Sequence, residues 1–160
     1  MPAWRTAMSS SRLGEDEISE TIDVNLRGLI LVTKHFMPII PKKGGVIINI
    51  SSGAGKRGYP GLAVYCTTKS AVLGFTETLA KEAKSIKIIA VCPGGVDTEM
   101  YMSMSSRHPS LKPEHIAAKI LDIVNHASSH RSGSSIEVYS VTDTLEHLRL
   151  KHFGEFKAKR

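Results

Sequence analysis

Two residues with complementary acid–base chemistry, Tyr65 and Lys69, lie four positions apart in the chain. A predicted helix over about 63–84 places both side chains on the same face, one turn apart. Free tyrosine has a pKa of about 10, and an ammonium within ~4–6 Å favours the phenolate by about one to three pKa units. The pair could therefore exchange a proton near neutral pH. A surface tyrosine beside a solvated lysine is the alternative interpretation of the same spacing.

Two polar residues upstream of this pair are further candidates. Ser52 precedes Tyr65 by 13 residues and follows a predicted strand. Because ligands of open α/β sheets bind outside the carboxyl ends of the strands, its hydroxyl could hydrogen-bond an oxygen whose charge changes during a reaction. A turn-forming role for this serine stays open. Asn25 interrupts a well-patterned helix, where asparagine is unfavourable, which suggests a requirement other than helix formation.

The elements that must carry these residues alternate between helix and strand. Apolar residues at three- and four-residue steps predict a helix over 15–37, and Pro113 opens a last helix. Short β-branched runs predict strands at 46–50, 86–92 and 135–139. This alternation is typical of a parallel sheet. We predict an α/β fold with a parallel sheet of three strands and three helices.

Length and composition exclude several classes of protein. The chain has 160 residues, 41% hydrophobic and 22% charged, as expected for one globular domain. Its net charge is +6, but five basic residues and a single acid crowd into 149–160, so no basic nucleic-acid-binding face is predicted. No apolar run approaches the ~20 residues that span a bilayer, and no secretory signal is apparent. Two cysteines and scattered histidines predict no metal site. We expect a soluble, cytoplasmic protein without a membrane partner.

The combined motifs resemble the short-chain dehydrogenases/reductases. The resemblance runs from about Glu15 to Tyr139 and is carried by Asn25 and three short stretches. These stretches are Asn49-Ile50-Ser51-Ser52, Tyr65-Cys66-Thr67-Thr68-Lys69 and Pro93-Gly94-Gly95-Val96-Asp97-Thr98. The resemblance implies hydride transfer between NAD or NADP and a small carbonyl or alcohol substrate.

The same resemblance implies a role for each motif residue. Tyr65 would be the general acid/base, and Lys69 would lower its pKa and hold the nicotinamide ribose. Ser52 would position the substrate oxygen, and Asn25 would help order a proton-relay water. The implied cofactor contacts are Tyr65, Lys69, Pro93, Gly94, Val96 and Thr98. Residues 99–110 match the family's substrate lid in position, although an irregular loop is equally consistent with them. Helices 15–37 and 63–84 resemble those of the family's dimer interface, which implies a homo-dimer or tetramer.

One part of the family pattern is missing. Members begin with a strand and a glycine-rich turn that binds the cofactor pyrophosphate. Here Gly14 and Gly28 are the only glycines before Gly44. At about 30 residues per βαβ step, the missing part amounts to roughly 80–100 residues. The resemblance therefore implies a partial doubly wound, Rossmann-like sheet. The implied organisation is an irregular segment (1–14), a catalytic half-domain (15–140) and a basic C-terminal tail (141–160). The sequence is therefore either part of an active enzyme or a truncated, catalytically incompetent relative that acts as an interaction module or has no function. In both cases the first strand should expose an edge and an apolar flank.

Overall fold

The structure, a computed structural model, describes residues 12–105 and 107–145. Within these residues three parallel strands form one sheet in the order β1-β2-β3. The strands are β1 (Val46–Ile50), β2 (Lys87–Pro93) and β3 (Ser135–Val138). The helices are α1 (Glu15–Ile22), α2 (Gly28–Phe36), α3 (Ala63–Glu82), α4 (Glu99–Met104), α5 (Pro113–Asn125) and α6 (Val141–Leu145). The predicted three-stranded parallel α/β sheet is confirmed.

The central strand β2 organises the core. Its residues 88–92 are completely buried, as expected for a parallel strand that is covered on both faces. On one face Ile89 packs with Ile123 of α5, and on the other Ile88 packs with Ala80 of α3. Helices therefore cover both faces of the sheet. The carboxyl ends of its strands are where open α/β sheets bind ligands.

The first predicted helix is interrupted by a wider turn. Residues Asp23–Arg27 form a π-helical segment between α1 and α2. The segment is closed by a hydrogen bond from the Gly28 N–H to the Asp23 carbonyl, five residues earlier. A Cβ at position 28 would lie 3.2 Å from that same oxygen, so glycine eases the closure. Such π turns within α-helices occur frequently at functional sites, and Asn25 lies in the middle of this one.

Two segments differ from the sequence-based expectations. The predicted loop over 98–110 is wrong for residues Glu99–Met104, which form α4. The Thr98 hydroxyl caps this helix by accepting a hydrogen bond from the Tyr101 N–H at 3.2 Å. The segment placed in a C-terminal tail begins with α6, where Val141 packs against the core. The basic residues at 149–160 and most of the segment 1–14 lie outside the described residues.

The outer side of β1 agrees with the expected open edge. In the described part of the chain, β1 pairs only with β2. Large apolar side chains are exposed on α2 and just beyond it: Ile30, Leu31, Val32, Phe36 and Ile39. Ile39 is 73% exposed. An unpaired edge with exposed apolar residues nearby indicates a surface that another element could cover.

Candidate active site

Two adjacent serines, Ser51 and Ser52, follow β1, and their hydroxyls bond to different parts of the chain. The Ser51 hydroxyl donates to the Lys69 carbonyl at 2.8 Å and thereby joins the strand end to α3. Ser52 is extended, and its Oγ accepts a hydrogen bond from the Ala54 N–H at 3.1 Å, which opens a short 3₁₀ turn at Gly53–Gly55. The turn-forming interpretation of Ser52 is therefore correct. It does not exclude a second use of the same hydroxyl.

Tyr65, in the first turn of α3, points its phenol at Ser52. Burial raises the pKa of the Tyr65 phenol above its ordinary value, and a hydrogen bond with the Ser52 hydroxyl opposes that rise. A phenol with a raised pKa keeps its proton at neutral pH. Ser52, 13 positions earlier in the sequence, is thus near enough to Tyr65 to influence the pKa of its phenol.

Lys69 lies one turn further along α3, beside the same tyrosine. Its Nζ is 5.7 Å from the centre of the Tyr65 ring and donates to the Ile50 carbonyl at 3.2 Å. Burial lowers the pKa of the Lys69 ammonium. Because desolvation disfavours the charged form of each group, both side chains are shifted toward their neutral forms.

Asn25 reaches this site through an intermediate residue. Its Nδ2 donates to the Thr68 Oγ1 at 3.3 Å, and that hydroxyl donates to the Tyr65 carbonyl at 2.8 Å. The structure therefore places Asn25 against the part of α3 that carries Tyr65 and Lys69. The intermediate Thr68 was not singled out from the sequence, because its role depends on a contact 43 positions away.

The end of β2 supplies the neighbouring turn. The Gly94 N–H donates to the Val138 carbonyl at 2.8 Å and so extends the pairing with β3. Further along, the Thr98 hydroxyl bonds the Val96 carbonyl at 3.2 Å, and Val96 forms a bridge with Leu111. The four predicted cofactor residues therefore follow one another from the last residue of β2 (Pro93) through Gly94 and Val96 to the N-cap of α4 (Thr98).

An aromatic ring that the sequence analysis did not select joins the ends of two strands. Tyr139 follows β3, and its ring lies against two glycines: a Cβ built on Gly53 or on Gly94 would come within 2.9 Å of it. The Arg57 guanidinium lies 5.2 Å from the ring centre. The turn after Ser52 and the turn after Pro93 are thus in contact with a common side chain, which fixes their separation.

Among residues 12–105 and 107–145, no group of three or more histidine, cysteine or acidic side chains is arranged to hold a metal ion. Within the same residues, no helix has both the length and the apolar character needed to cross a bilayer.

The parallel sheet, with a tyrosine, a lysine and a serine near the carboxyl ends of its strands, defines an open α/β domain with polar side chains where such sheets bind ligands. Residues 5–109 match the family model for short chain dehydrogenases. This chain belongs to the short-chain dehydrogenase family. The match confirms the family resemblance that the sequence motifs indicated.

Similar curated proteins act on different substrates. The chain is 34% identical over 141 residues to the 3-oxoacyl-[acyl-carrier-protein] reductase of Chlamydia muridarum, covering 79% of this chain and 57% of the relative. It is 32% identical over 127 residues to the NADPH-dependent pterin aldehyde reductase of Arabidopsis thaliana, covering 77% and 52%. It is 36% identical over 120 residues to the epidermal retinol dehydrogenase 2 of Mus musculus, covering 69% and 39%. The chain therefore spans about half the length of these relatives.

Solved structures give the same fold. A 3-ketoacyl-(acyl-carrier-protein) reductase from Brucella melitensis complexed with NADH superposes with a TM-score of 0.74 at 25% identity, covering 82% of this chain and 60% of that one. A 4-hydroxyisoleucine dehydrogenase complexed with NADH gives a TM-score of 0.69 at 27% identity, covering 85% and 64%. The Rossmann-like fold and the oxidoreductase family are therefore established.

Proposed function

We propose that this chain is the catalytic part of an oxidoreductase that transfers a hydride between NAD(H) or NADP(H) and a small carbonyl or alcohol substrate. The proposal rests on one observation. The Lys69 Nζ lies 5.7 Å from the centre of the Tyr65 ring and donates at 3.2 Å to the carbonyl of Ile50, the last residue of β1, while Ser52 acts to lower the pKa of the Tyr65 phenol. Two hydroxyls and an ammonium at this edge can bind an oxygen and supply its proton.

The residues at the sheet edge are suited to a nicotinamide cofactor. Lys69 offers a partly buried donor, and Gly94 begins the turn that follows β2 at the same edge of the sheet. The residues that would hold the cofactor are Tyr65, Lys69, Pro93, Gly94, Val96 and Thr98. When bound, the nicotinamide supplies or accepts the hydride. Similar proteins include a reductase complexed with NADH and an NADPH-dependent reductase, which supports a nicotinamide dinucleotide and leaves open which of the two is used.

The side chains of this protein bind the substrate oxygen and supply its proton. In the reductive direction the carbonyl carbon gains the hydride, and the carbonyl oxygen gains the Tyr65 proton. The Ser52 hydroxyl holds that oxygen while its negative charge develops. Lys69 stabilises the resulting phenolate. A water held near Asn25 then returns a proton to Tyr65, so that the alcohol leaves and the site is restored.

Substitution of the tyrosine tests this proposal. Tyr65→Phe removes the only atom that transfers the proton, and we expect nicotinamide-dependent turnover to fall by at least about a hundredfold, a typical contribution of general acid–base catalysis. Cofactor binding should change little. The control is Tyr59→Phe, which alters an exposed tyrosine in the preceding loop and should leave turnover unchanged. Unchanged turnover in Tyr65→Phe would refute the proposal.

We also propose that the chain assembles as a homo-dimer or tetramer. The exposed apolar side chains of α2 and the solvent-facing side of α3, which includes Thr67, Ser70 and Gly74, offer helical surfaces for a second copy. Sedimentation equilibrium measures this directly. A monomer at tens of micromolar would contradict it.

A second candidate, a truncated and catalytically incompetent relative that acts as an interaction module, is favoured by one observation. Within residues 12–105 and 107–145, the outer edge of β1 has no paired strand and offers a surface to a partner. An intact mass of 17.4 kDa for the natural polypeptide, combined with no saturable NAD(P)H fluorescence change, would support this candidate. A longer natural polypeptide that contains this sequence and binds NAD(P)H would exclude it.

A further inference from the structure

A single buried hydroxyl joins Asn25 to the helix of the proposed acid/base. Thr68 is only 1% exposed. Its Oγ1 accepts a hydrogen bond from the Asn25 Nδ2 at 3.3 Å and donates one to the Tyr65 carbonyl at 2.8 Å. Both the donor and the acceptor functions of the hydroxyl are therefore used, one toward each of the two candidate residues.

The partner of this hydroxyl lies in an unusual piece of backbone. Asn25 belongs to the π-helical segment Asp23–Arg27, where the regular helical hydrogen bonding is interrupted. A π-helical turn keeps only i→i−5 backbone bonds, such as the one from the Gly28 N–H to the Asp23 carbonyl, and contacts with a neighbouring element help to hold it in place. The Thr68 hydroxyl on α3 provides such a contact for Asn25. With its Nδ2 bound there, the Asn25 amide still has an acceptor oxygen, Oδ1.

We propose that Thr68 is a positioning residue, which sets the place of Asn25 relative to Tyr65 through its side-chain hydroxyl. This inference rests on the proposed function, because it assigns a purpose to the alignment of those two residues. Thr68 touches neither substrate nor cofactor in this account. Its effect on the reaction passes through Asn25 and through the first turn of α3.

The chain contains a matched control for this residue. Thr76, two turns further along α3, is also 1% exposed. Its Oγ1 accepts from the Asn49 Nδ2 at 2.9 Å and donates to the Val72 carbonyl at 2.7 Å. The two threonines thus have the same burial and the same kind of hydrogen bonds, but only Thr68 bonds to the candidate site residues. A purely structural role would give both the same phenotype.

Three variants test the inference: Thr68→Val, Thr68→Ser and Thr76→Val. Valine preserves the volume and removes the hydroxyl, and serine restores the hydroxyl. We expect Thr68→Val to lower kcat by about tenfold or more, since small misplacements of catalytic groups cost rate, with the KM for cofactor within about twofold. Thr68→Ser should recover most of kcat. Thr76→Val should lose stability and keep kcat. Equal kcat losses in the two valine variants, or no loss in either, would overturn the inference.

A second measurement separates this inference from the proposed function. Amide hydrogen exchange at residues 23–27 reports the anchoring of the π-helical segment and needs no turnover. Thr68→Val should speed exchange there by about tenfold relative to Thr76→Val, which corresponds to the loss of about one net hydrogen bond. If Tyr65→Phe keeps full turnover, the proposed function fails while this exchange result stands. Unchanged exchange in Thr68→Val would overturn the positioning role by itself.

Discussion

The Lys69 Nζ lies 5.7 Å from the centre of the Tyr65 ring, one helical turn away on the same face of α3. Burial acts on both groups, raising the pKa of the phenol and lowering the pKa of the ammonium. Both shifts favour the uncharged forms, so the tyrosine holds its proton at neutral pH. The expected lowering of the Tyr65 pKa by Lys69 is therefore not found in this structure, where burial is the largest influence on the phenol.

Substitution at Gly55 should damage the junction between β1 and α3. A Cβ at this position would lie 2.7 Å from the Lys69 carbonyl oxygen and 2.7 Å from the Ser51 Oγ, two atoms that already form a hydrogen bond. We expect Gly55→Ala to lower the free energy of unfolding by about 2 kcal/mol, typical of overpacking, as measured by urea denaturation.

The control for this variant lies in the same loop. Within the described residues, no atom lies within 4 Å of a Cβ built on Gly58. Gly58→Ala should therefore change the unfolding free energy by less than about 0.5 kcal/mol. An equal effect of the two alanines would show that crowding at the junction is not the cause.

Removing one partner of a buried ion pair on α5 should strongly destabilise the fold. Lys119 is 5% exposed and Asp122 is 4% exposed, and the Lys119 Nζ lies 3.7 Å from the Asp122 Oδ2. The other carboxylate oxygen, Oδ1, contacts the His126 Nδ1 at 2.9 Å. Lys119→Met leaves the carboxylate buried with only the histidine as its partner, and we expect a loss of about 3 kcal/mol in unfolding free energy.

The double variant distinguishes a paired charge from general packing. Replacement of both groups by apolar side chains removes the buried charge along with its partner. Lys119→Met combined with Asp122→Leu should therefore recover most of the stability lost in the single variant, by thermal or urea unfolding. A double variant less stable than the single one would contradict this explanation.

The start of α6 should make stability depend on acidic pH. The Asp143 carboxylate accepts hydrogen bonds from the N–H groups of Tyr139 and Ser140, both at 2.7 Å, and these bonds hold its pKa below its ordinary value. A group whose pKa is lower in the folded state adds stability above its unfolded pKa, and that stability is lost as the pH falls through the folded pKa.

The corresponding measurement is a stability series below about pH 4, the ordinary range of an aspartate. Wild-type chain should lose unfolding free energy as the pH falls there. Asp143→Asn should be less stable at neutral pH, and its stability should fall less steeply over the same range. Parallel curves for the two proteins would contradict the assignment.

Local patterns were sufficient to predict most of the elements. The β-branched run at 46–50 forms β1 as expected, because such residues suit a strand covered on its faces. The periodic apolar residues of α3 and α5 give helices whose bounds lie close to those predicted. The short helix α4 was missed because its stretch, rich in methionine and serine, has no clear period and is fixed by the Thr98 cap.

Contacts between distant parts of the chain could not be predicted in the same way. Asn25 was recognised as an interruption of a helix, but the π-helical geometry depends on a closing bond to Gly28 and on the fit against α3. Thr68 resembles any buried helical threonine until its partner, 43 positions away, is known. Tyr139 shows its contact with Gly53 and Gly94 only once β3 is placed beside β2. Sequence spacing indicates which residues share an element, whereas the sheet determines which elements meet.

The most direct test of the central claim is the pH dependence of kcat for alcohol oxidation in wild type and Ser52→Ala. In this direction Tyr65 must act as a phenolate base, so the rate should rise through its pKa. The Ser52 hydrogen bond lowers the pKa of Tyr65. Ser52→Ala should therefore shift the rising limb of the pH profile to higher pH. The control Ser70→Ala removes an exposed hydroxyl from α3, the helix that carries Tyr65, and should leave the limb in place. A limb that stays at the same pH or moves lower in Ser52→Ala would contradict the assignment of Tyr65 as the acid/base.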